Sequence, residues 1–342
     1  MVSTYKSYVA NGGLQAEGVE VAAVNHDFFC AMEYQAKTDS IDAKDLVHMV
    51  EVIFGSRAGI RTALYMAAPV ATRFNPVIKV FYMLLLLGEE YMMTISEETI
   101  VSTIKKNQFV PFFQPLYDIH TGKCHGVEVL SRLILDNGDV LWPELFLSVV
   151  KKNNLMHEMT LELMRKVAKN MAIFEKITSE RFIIAINMAS SLLSDERFIR
   201  ASLNMNELCK MHNCQFELEL TEHEQFQPLL HVEPMKLLNK ADINIILDDF
   251  GTGYSGLSHL HQFCFQGLKI PREILFDLPD NMLSKLIIDN IVNLAKKLNL
   301  KVTFEGVENK RLLDALKQYK GSMQGYLLSP PVTIEHFKQM QY

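Results

Sequence analysis

Phe109-Val-Pro-Phe-Phe-Gln-Pro-Leu-Tyr-Asp-Ile119, His120-Thr-Gly-Lys123 and Gly126-Val-Glu-Val-Leu-Ser-Arg-Leu-Ile-Leu135 follow one another along the chain. The outer two blocks are rich in aromatic and aliphatic residues, and a short turn containing glycine joins them. Such a pair forms an antiparallel hairpin. Further strand-like runs lie at residues 182–189, 215–220, 243–247, 267–270, 302–305 and 324–328. Helical stretches at 158–174, 195–211, 234–241, 282–298 and 310–318 separate most of them. Strands alternating with helices build a parallel sheet. About eight strands in about 245 residues fit a (β/α)8 barrel. The expectation is an α/β barrel over 96–342 with an antiparallel first strand pair.

Residues 1–95 have a different pattern, rich in Ala, Met and Val. Leu46, Met49, Val50 and Ile53 share one helix face, with Asp42, Lys44, Asp45 and Glu51 elsewhere. Gly55-Ser56 interrupts, a second helix runs to Met66, and a third from Pro76 to Met93 is apolar nearly all round. A smaller, mostly α-helical N-terminal domain is expected here, with a regulatory or dimerisation role. The segment holds seven basic and ten acidic side chains, which argues against direct DNA contact.

The whole chain has 342 residues and a formal charge of −6, with 34 Lys and Arg against 40 Asp and Glu. That balance argues against a wholesale nucleic-acid or membrane-surface binder and leaves room only for a local basic patch. No apolar run approaches the roughly 20 residues of a spanning helix, and residues 1–13 lack the apolar stretch of a secretory signal. The five cysteines are scattered without a CxxC pair, so the expected setting is reduced and cytoplasmic.

Polar and acidic residues collect at the ends of the strands. Glu128 lies in the second strand, Asn187 ends the third, and Glu219 and Glu222 close the fourth. Asp248-Asp249 follow the next, then Lys269, Glu305 with Glu308, and Gln324. Barrel enzymes carry their chemistry at this end. Clustered carboxylates repel one another unless a cation compensates them. Oxygen donors without Cys or His favour a hard ion, Mg²⁺ or Mn²⁺. An adjacent Asp pair suits two bridged ions, and a lysine beside them can stabilise a phosphorane or orient water. The residues alone point to metal-assisted hydrolysis of a phosphate ester.

Seven ordered stretches carry a resemblance to a known family. They are Glu128-Val-Leu-Ser-Arg132, Asn187-Met-Ala-Ser190, Glu217-Leu-Glu-Leu-Thr-Glu222, Asp248-Asp-Phe-Gly-Thr-Gly-Tyr-Ser-Gly256, Leu268-Lys-Ile270, Phe304-Glu-Gly-Val-Glu308 and Gln324-Gly-Tyr-Leu-Leu-Ser-Pro330. Together they resemble the EAL-domain family, the bacterial cyclic di-GMP phosphodiesterases, over roughly seven-tenths of the chain. The resemblance implies a modified TIM-type barrel and hydrolysis of cyclic di-GMP to linear pGpG with Mg²⁺ or Mn²⁺. It implies metal ligation by Glu128, Asn187, Glu219, Asp248 and Asp249, and Lys269 as the catalytic lysine. Glu305 is implied either as a ligand or as part of the base machinery. Arg132 and Gln324 are implied at the substrate, and Glu222 as the residue ordering the loop after Asp249. A homodimer through the barrel follows from the same resemblance, as does a protein partner or signal for residues 1–95.

The sequence departs from the family pattern in a few places. Val129 replaces an Ala, Pro271 stands where Lys-Ile-Asp is usual, Gln266 replaces a common Asp, and Leu133-Ile-Leu-Asp136 is atypical. Pro271 offers no ligand, which leaves an alternative open. In it the chain is a catalytically impaired module that senses cyclic di-GMP, or that regulates motility or adhesion genes through protein or DNA. His259 and His261, two apart on a helix, fall on different faces and are taken as packing or surface residues. Trp142 is expected to pack near the barrel rim, and the short pairs Lys105-Lys106 and Lys151-Lys152 to be solvated.

Overall fold

A computed structural model describes residues 95–177, 180–221, 227–253 and 256–340. The expected helical domain of residues 1–95, save its last residue, and the loop residue Glu222 lie outside them. The described chain divides between two compact units. Residues 102–143 and 148–340 carry the barrel, while 95–101 and 144–147 belong to the other unit.

The elements run α1 (Glu97–Lys105), β1 (Phe109–Asp118), β2 (Cys124–Ile134), β3 (Val140–Leu141), α2 (Pro143–Lys152), α3 (Met156–Ala168), α4 (Met171–Phe174) and β4 (Phe182–Asn187). They continue with α5 (Glu196–Met211), β5 (Cys214–Thr221), α6 (Pro228–Lys240), β6 (Asn244–Asp248), α7 (Gly256–Gln262) and β7 (Gly267–Ile270). The last are α8 (Arg272–Leu275), α9 (Met282–Lys297), β8 (Lys301–Phe304), α10 (Lys310–Leu316), β9 (Ser322–Met323) and α11 (Ile334–Phe337).

Strand order β1-β9-β8-β7-β6-β5-β4-β2 closes through β1–β2, giving an eight-strand barrel, with β3 added as a short hairpin arm on β2. β1 runs antiparallel to both neighbours, while β2 and β4 to β9 are parallel around the rest of the wall. The hairpin read from the first stretch of sequence is therefore the irregular stave of an otherwise parallel barrel.

Alternation along each strand sorts the side chains into two sets. Phe216, Leu218 and Leu220 of β5, Ile245 and Leu247 of β6 and Leu268 and Ile270 of β7 point outward. They join one continuous core with helix residues such as Met164, Phe198, Leu238, Ile288 and Leu316. The opposite phase points into the barrel. Near its floor Leu116, Ile183 and Ala185 form a small separate cluster. Gly126 leaves room for this floor, since a Cβ there would lie 2.6 Å from the Cβ of Ile183. Phe113, Phe174, Phe182 and Phe337 pack together outside β1, with centroids 5.5–6.4 Å apart, and tie helix α11 to the first strand.

The sequence pattern differs from the structure in several elements, three of which bear on the site and its surroundings. The last strand is Ser322–Met323 rather than 324–328, because the chain turns away at Gln324 and bonds Val307 instead. Helix α6 begins at Pro228, one proline earlier than read, and carries Pro234 within it. Helix α2 lies outside the helical pattern of the sequence, although Pro143 opens it, Glu144 lies in its first turn and Lys151 and Lys152 in its last.

Candidate active site

Each parallel strand delivers one polar side chain to the barrel mouth. Glu128 comes from β2, Asn187 from β4, Glu219 from β5, Asp248 from β6 and Lys269 from β7. Glu305 stands just after β8 and Gln324 just after β9. All belong to the inward phase of their strands.

Lys269 sits at the centre and is only 1% exposed. Its Nζ lies 2.7 Å from Glu305 Oε1, 3.0 Å from Glu128 Oε2, 3.0 Å from Glu219 Oε2 and 3.5 Å from Asp248 Oδ1. Gln324 Nε2 donates to Glu128 Oε2 at 2.7 Å and to Glu305 Oε1 at 3.1 Å. Asn187 Nδ2 donates to Glu128 Oε1 at 2.8 Å. Gln324 is held by its backbone, which bonds Phe304 and Val307. The next residue must be glycine, because a Cβ on Gly325 would lie 2.2 Å from the Val307 nitrogen.

Burial and charge set the electrostatics together. Burial opposes a charged Lys269, but the surrounding carboxylates of Asp248, Glu128, Glu219 and Glu305 outweigh it and hold its pKa well above the usual lysine value. Burial first, then the repulsion of Glu128, pushes Glu219 well above the usual carboxylate range. Burial likewise raises Glu305 and Asp248, against the pull of Lys269. Glu128 alone goes down: Lys269 and the bonds from Gln324 and Asn187 overcome its burial. Four buried carboxylates around one ammonium leave an excess of negative charge, which a bound cation would relieve.

Asp249 adopts a left-handed backbone, φ 56°, which Asp tolerates better than most residues. Its N–H donates to Asp248 Oδ1 at 2.9 Å, and the following N–H of Phe250 bonds the Lys269 carbonyl. This turn brings carboxylate oxygens of Asp248, Asp249 and Glu305 within 4.8 Å of one another. An acidic oxygen set of this kind fits a metal ion.

Arg132 stands four residues beyond Glu128 on the same face of β2 and is buried. Its guanidinium lies over the Trp142 ring at 4.0 Å and near Phe112 at 5.2 Å, and Nη1 donates to the Ser131 carbonyl. Trp142 thus packs against Arg132, a residue of interest. The sequence carried no sign of that contact beyond the presence of one tryptophan. Glu308, also at a strand end, turns aside to pair with Arg272 at 2.9 Å. His259 is buried against Phe263 while His261 is exposed, so neither joins the cluster. Pro271 is buried and precedes α8. Gln266 ties β6 to β7, accepting from the Ile245 N–H at 2.8 Å.

Fold and site together define an α/β barrel whose acidic mouth is arranged around a lysine and can hold a metal ion. The chain belongs to the EAL domain family, which matches residues 97–331. It is 34% identical over 239 residues to the probable cyclic di-GMP phosphodiesterase PdeG of Escherichia coli K12, covering 69% of this chain and 47% of that protein. It is 30% identical over 245 residues to cyclic di-GMP phosphodiesterase PdeL of the same organism, covering 71% of this chain and 67% of that one. An EAL domain protein of Listeria monocytogenes EGD-e superposes with a TM-score of 0.63 at 26% identity, over 72% of this chain and 97% of that structure. The chain therefore spans about half the length of PdeG. Among the described residues no helix is long and apolar enough to cross a membrane.

Proposed function

We propose that this chain is a phosphodiesterase that hydrolyses cyclic di-GMP to linear pGpG and depends on a divalent cation. The observation that carries the reading is the convergence of Glu128, Glu219, Asp248 and Glu305 on Lys269. It occurs in a family whose relatives PdeG and PdeL are named for that activity. Glu128, Asn187, Glu219, Asp248 and Asp249 are the residues that would hold Mg²⁺ or Mn²⁺. Such an ion draws charge from a phosphoryl oxygen and makes a water easier to deprotonate.

The protein groups supply the rest. Lys269 orients the attacking water and meets the negative charge that develops at phosphorus. Glu305 accepts the water's proton at Oε1, or ligates the cation. Arg132 presents an in-plane edge to a phosphate, a geometry suited to paired hydrogen bonds. Gln324 holds Glu128 and Glu305 in place and borders the substrate. Glu222 orders the loop after Asp249, through which the barrel pairs into a homodimer. Residues 1–95 form a regulatory or dimerisation domain that receives a protein partner or signal, and 96–342 form the barrel domain. The setting is the cytoplasm, which suits the free thiols Cys124, Cys209, Cys214 and Cys264.

A second reading rests on Pro271. It follows β7 directly and provides no ligand where the family carries an acid, so a chain that binds cyclic di-GMP without turnover stays in view. Turnover of cyclic di-GMP by the purified full chain with Mg²⁺ or Mn²⁺, compared with Glu128→Ala, separates the readings. Formation of pGpG that the variant loses supports the enzyme. Tight binding without product makes the chain a sensor, and absence of binding overturns both.

A further inference from the structure

Trp142 occupies the residue before α2, a position that ordinarily serves the helix with a Ser, Thr, Asp or Asn side chain. Here the side chain makes no capping bond. Pro143 follows at the first helical position, where its missing N–H removes one of the groups a cap would satisfy. The indole is used elsewhere. β3 pairs with β2 through Leu133↔Leu141 and Ile134↔Val140, so one step further along the register Trp142 falls opposite Arg132. Its ring centre lies 4.0 Å from the guanidinium carbon. Phe112 approaches the same carbon at 5.2 Å, from β1 on the other side of β2.

These contacts determine what Arg132 can still do. Aromatic rings meet a guanidinium over its flat face, attracted by its charge. Hydrogen bonding remains in the guanidinium plane, where Nη1 already donates to Ser131 O at 2.8 Å. A long side chain fixed before binding has less rotamer freedom to lose on meeting a ligand.

We propose that Trp142 is a positioning residue for substrate: its ring braces Arg132 so that the in-plane edge of the guanidinium is set to receive a phosphate of the cyclic dinucleotide. The inference rests on the reading of Arg132 as the phosphate-binding group. Trp142 acts through Arg132, so it governs substrate affinity rather than the chemical step at Lys269. The device rests on the hairpin β2–β3, whose register places the tryptophan across from the arginine.

The test uses the full chain and cyclic di-GMP with Mg²⁺, with calorimetry to follow binding. Trp142→Leu should raise KM about tenfold, the size expected from losing a partly desolvated cation–π contact. Its kcat should stay within about twofold of wild type. Trp142→Phe keeps an aromatic face and should restore KM to within about threefold. Unchanged KM in Trp142→Leu overturns the inference, as does a loss confined to kcat. A Phe variant as impaired as the Leu variant also overturns it, because packing rather than the aromatic face would then be at work.

Trp142 is the sole tryptophan of the chain, which gives a second measurement that does not depend on a Trp142 variant folding. Its emission should change as wild type is saturated with cyclic di-GMP, and the change should be lost in Arg132→Lys. Constant emission at calorimetric saturation overturns the inference. If wild type neither binds nor hydrolyses cyclic di-GMP, the parent reading of the function fails instead, and the two failures are told apart.

Discussion

The Nζ of Lys269 lies 2.7 Å from Oε1 of Glu305, with both side chains inside the barrel mouth and the lysine shut off from solvent. Three more carboxylates lie within 3.5 Å of the same nitrogen. The ammonium is therefore the local counter-charge that lets these acids share one site.

Lys269→Met removes that charge while nearly keeping the volume. Breaking a buried ion pair from one side typically costs about 3–5 kcal/mol, because it leaves uncompensated charge behind. Urea denaturation in chelator-treated buffer should show a loss of this order. Added Mg²⁺ should recover part of it, since a ligand that binds only the folded state stabilises by about 2.7 kcal/mol at a hundred times its Kd. Hydrolysis should be lost under both conditions. Wild-type stability in the variant without metal would show that Lys269 does not hold the cluster together.

Pro271→Asp tests the departure that most affects the chemistry. The residue follows β7, two positions after Lys269, and precedes the short helix α8 with an extended backbone, φ −73° and ψ 162°. Asp is at home at such a helix-preceding position, and its oxygen can accept from the first turn. A carboxylate here adds a hard oxygen donor to the mouth. The rate of cyclic di-GMP hydrolysis should then saturate at lower Mg²⁺ than in wild type. An unchanged or weakened Mg²⁺ dependence would show that position 271 does not reach the cation.

Much of this arrangement is visible in the sequence, and its gaps have physical causes. The hairpin and the parallel strands show because apolar residues recur with a period of two and acids fall at the strand ends. Convergence of Glu128 with Gln324, far apart along the chain, becomes legible only once the strands are closed into a barrel. The contact between Trp142 and Arg132 depends on the register of a two-residue strand, Val140–Leu141, too short for any periodicity to mark. β9 is equally short, so the pattern placed it two residues late. Gln266 looked like a missing acid of the site, but its amide serves the backbone of β6. Glu308 looked like a further acid of the mouth, but it serves Arg272.

Asp195 gives a pH-dependent test away from the site. It caps α5 by accepting from the Arg197 N–H at 2.9 Å, and its carboxylate also meets the Arg197 guanidinium and His157. The bond from the Arg197 side chain is the main reason its pKa is lowered to about 2, with the backbone bond and the His157 charge helping. A carboxylate with a depressed folded-state pKa stabilises fully above its ordinary value near 4. It loses that contribution as pH falls through about 2. Asp195→Ala should cost about 1 kcal/mol at neutral pH, the usual size for a lost cap. The gap to wild type should close as acid titrates the group. A gap independent of pH would mean that the charge of Asp195 contributes nothing.

Val129→Ala separates the inner and outer faces of the wall that carries Glu128. Val129 is 2% exposed and faces the shell between strands and helices, in register with Ile186 of β4. Glu128, one residue earlier, points the other way to meet Lys269. Alanine removes two buried methyl-sized groups from the shell, worth about 2 kcal/mol once the small cavity is counted. The loss should appear in a denaturation curve. The kcat and KM of cyclic di-GMP hydrolysis should stay at wild-type values at temperatures where the variant is folded, because nothing at the mouth has changed. A variant that keeps its stability but alters kcat would place Val129 on the inner face and reverse the phase assigned to β2.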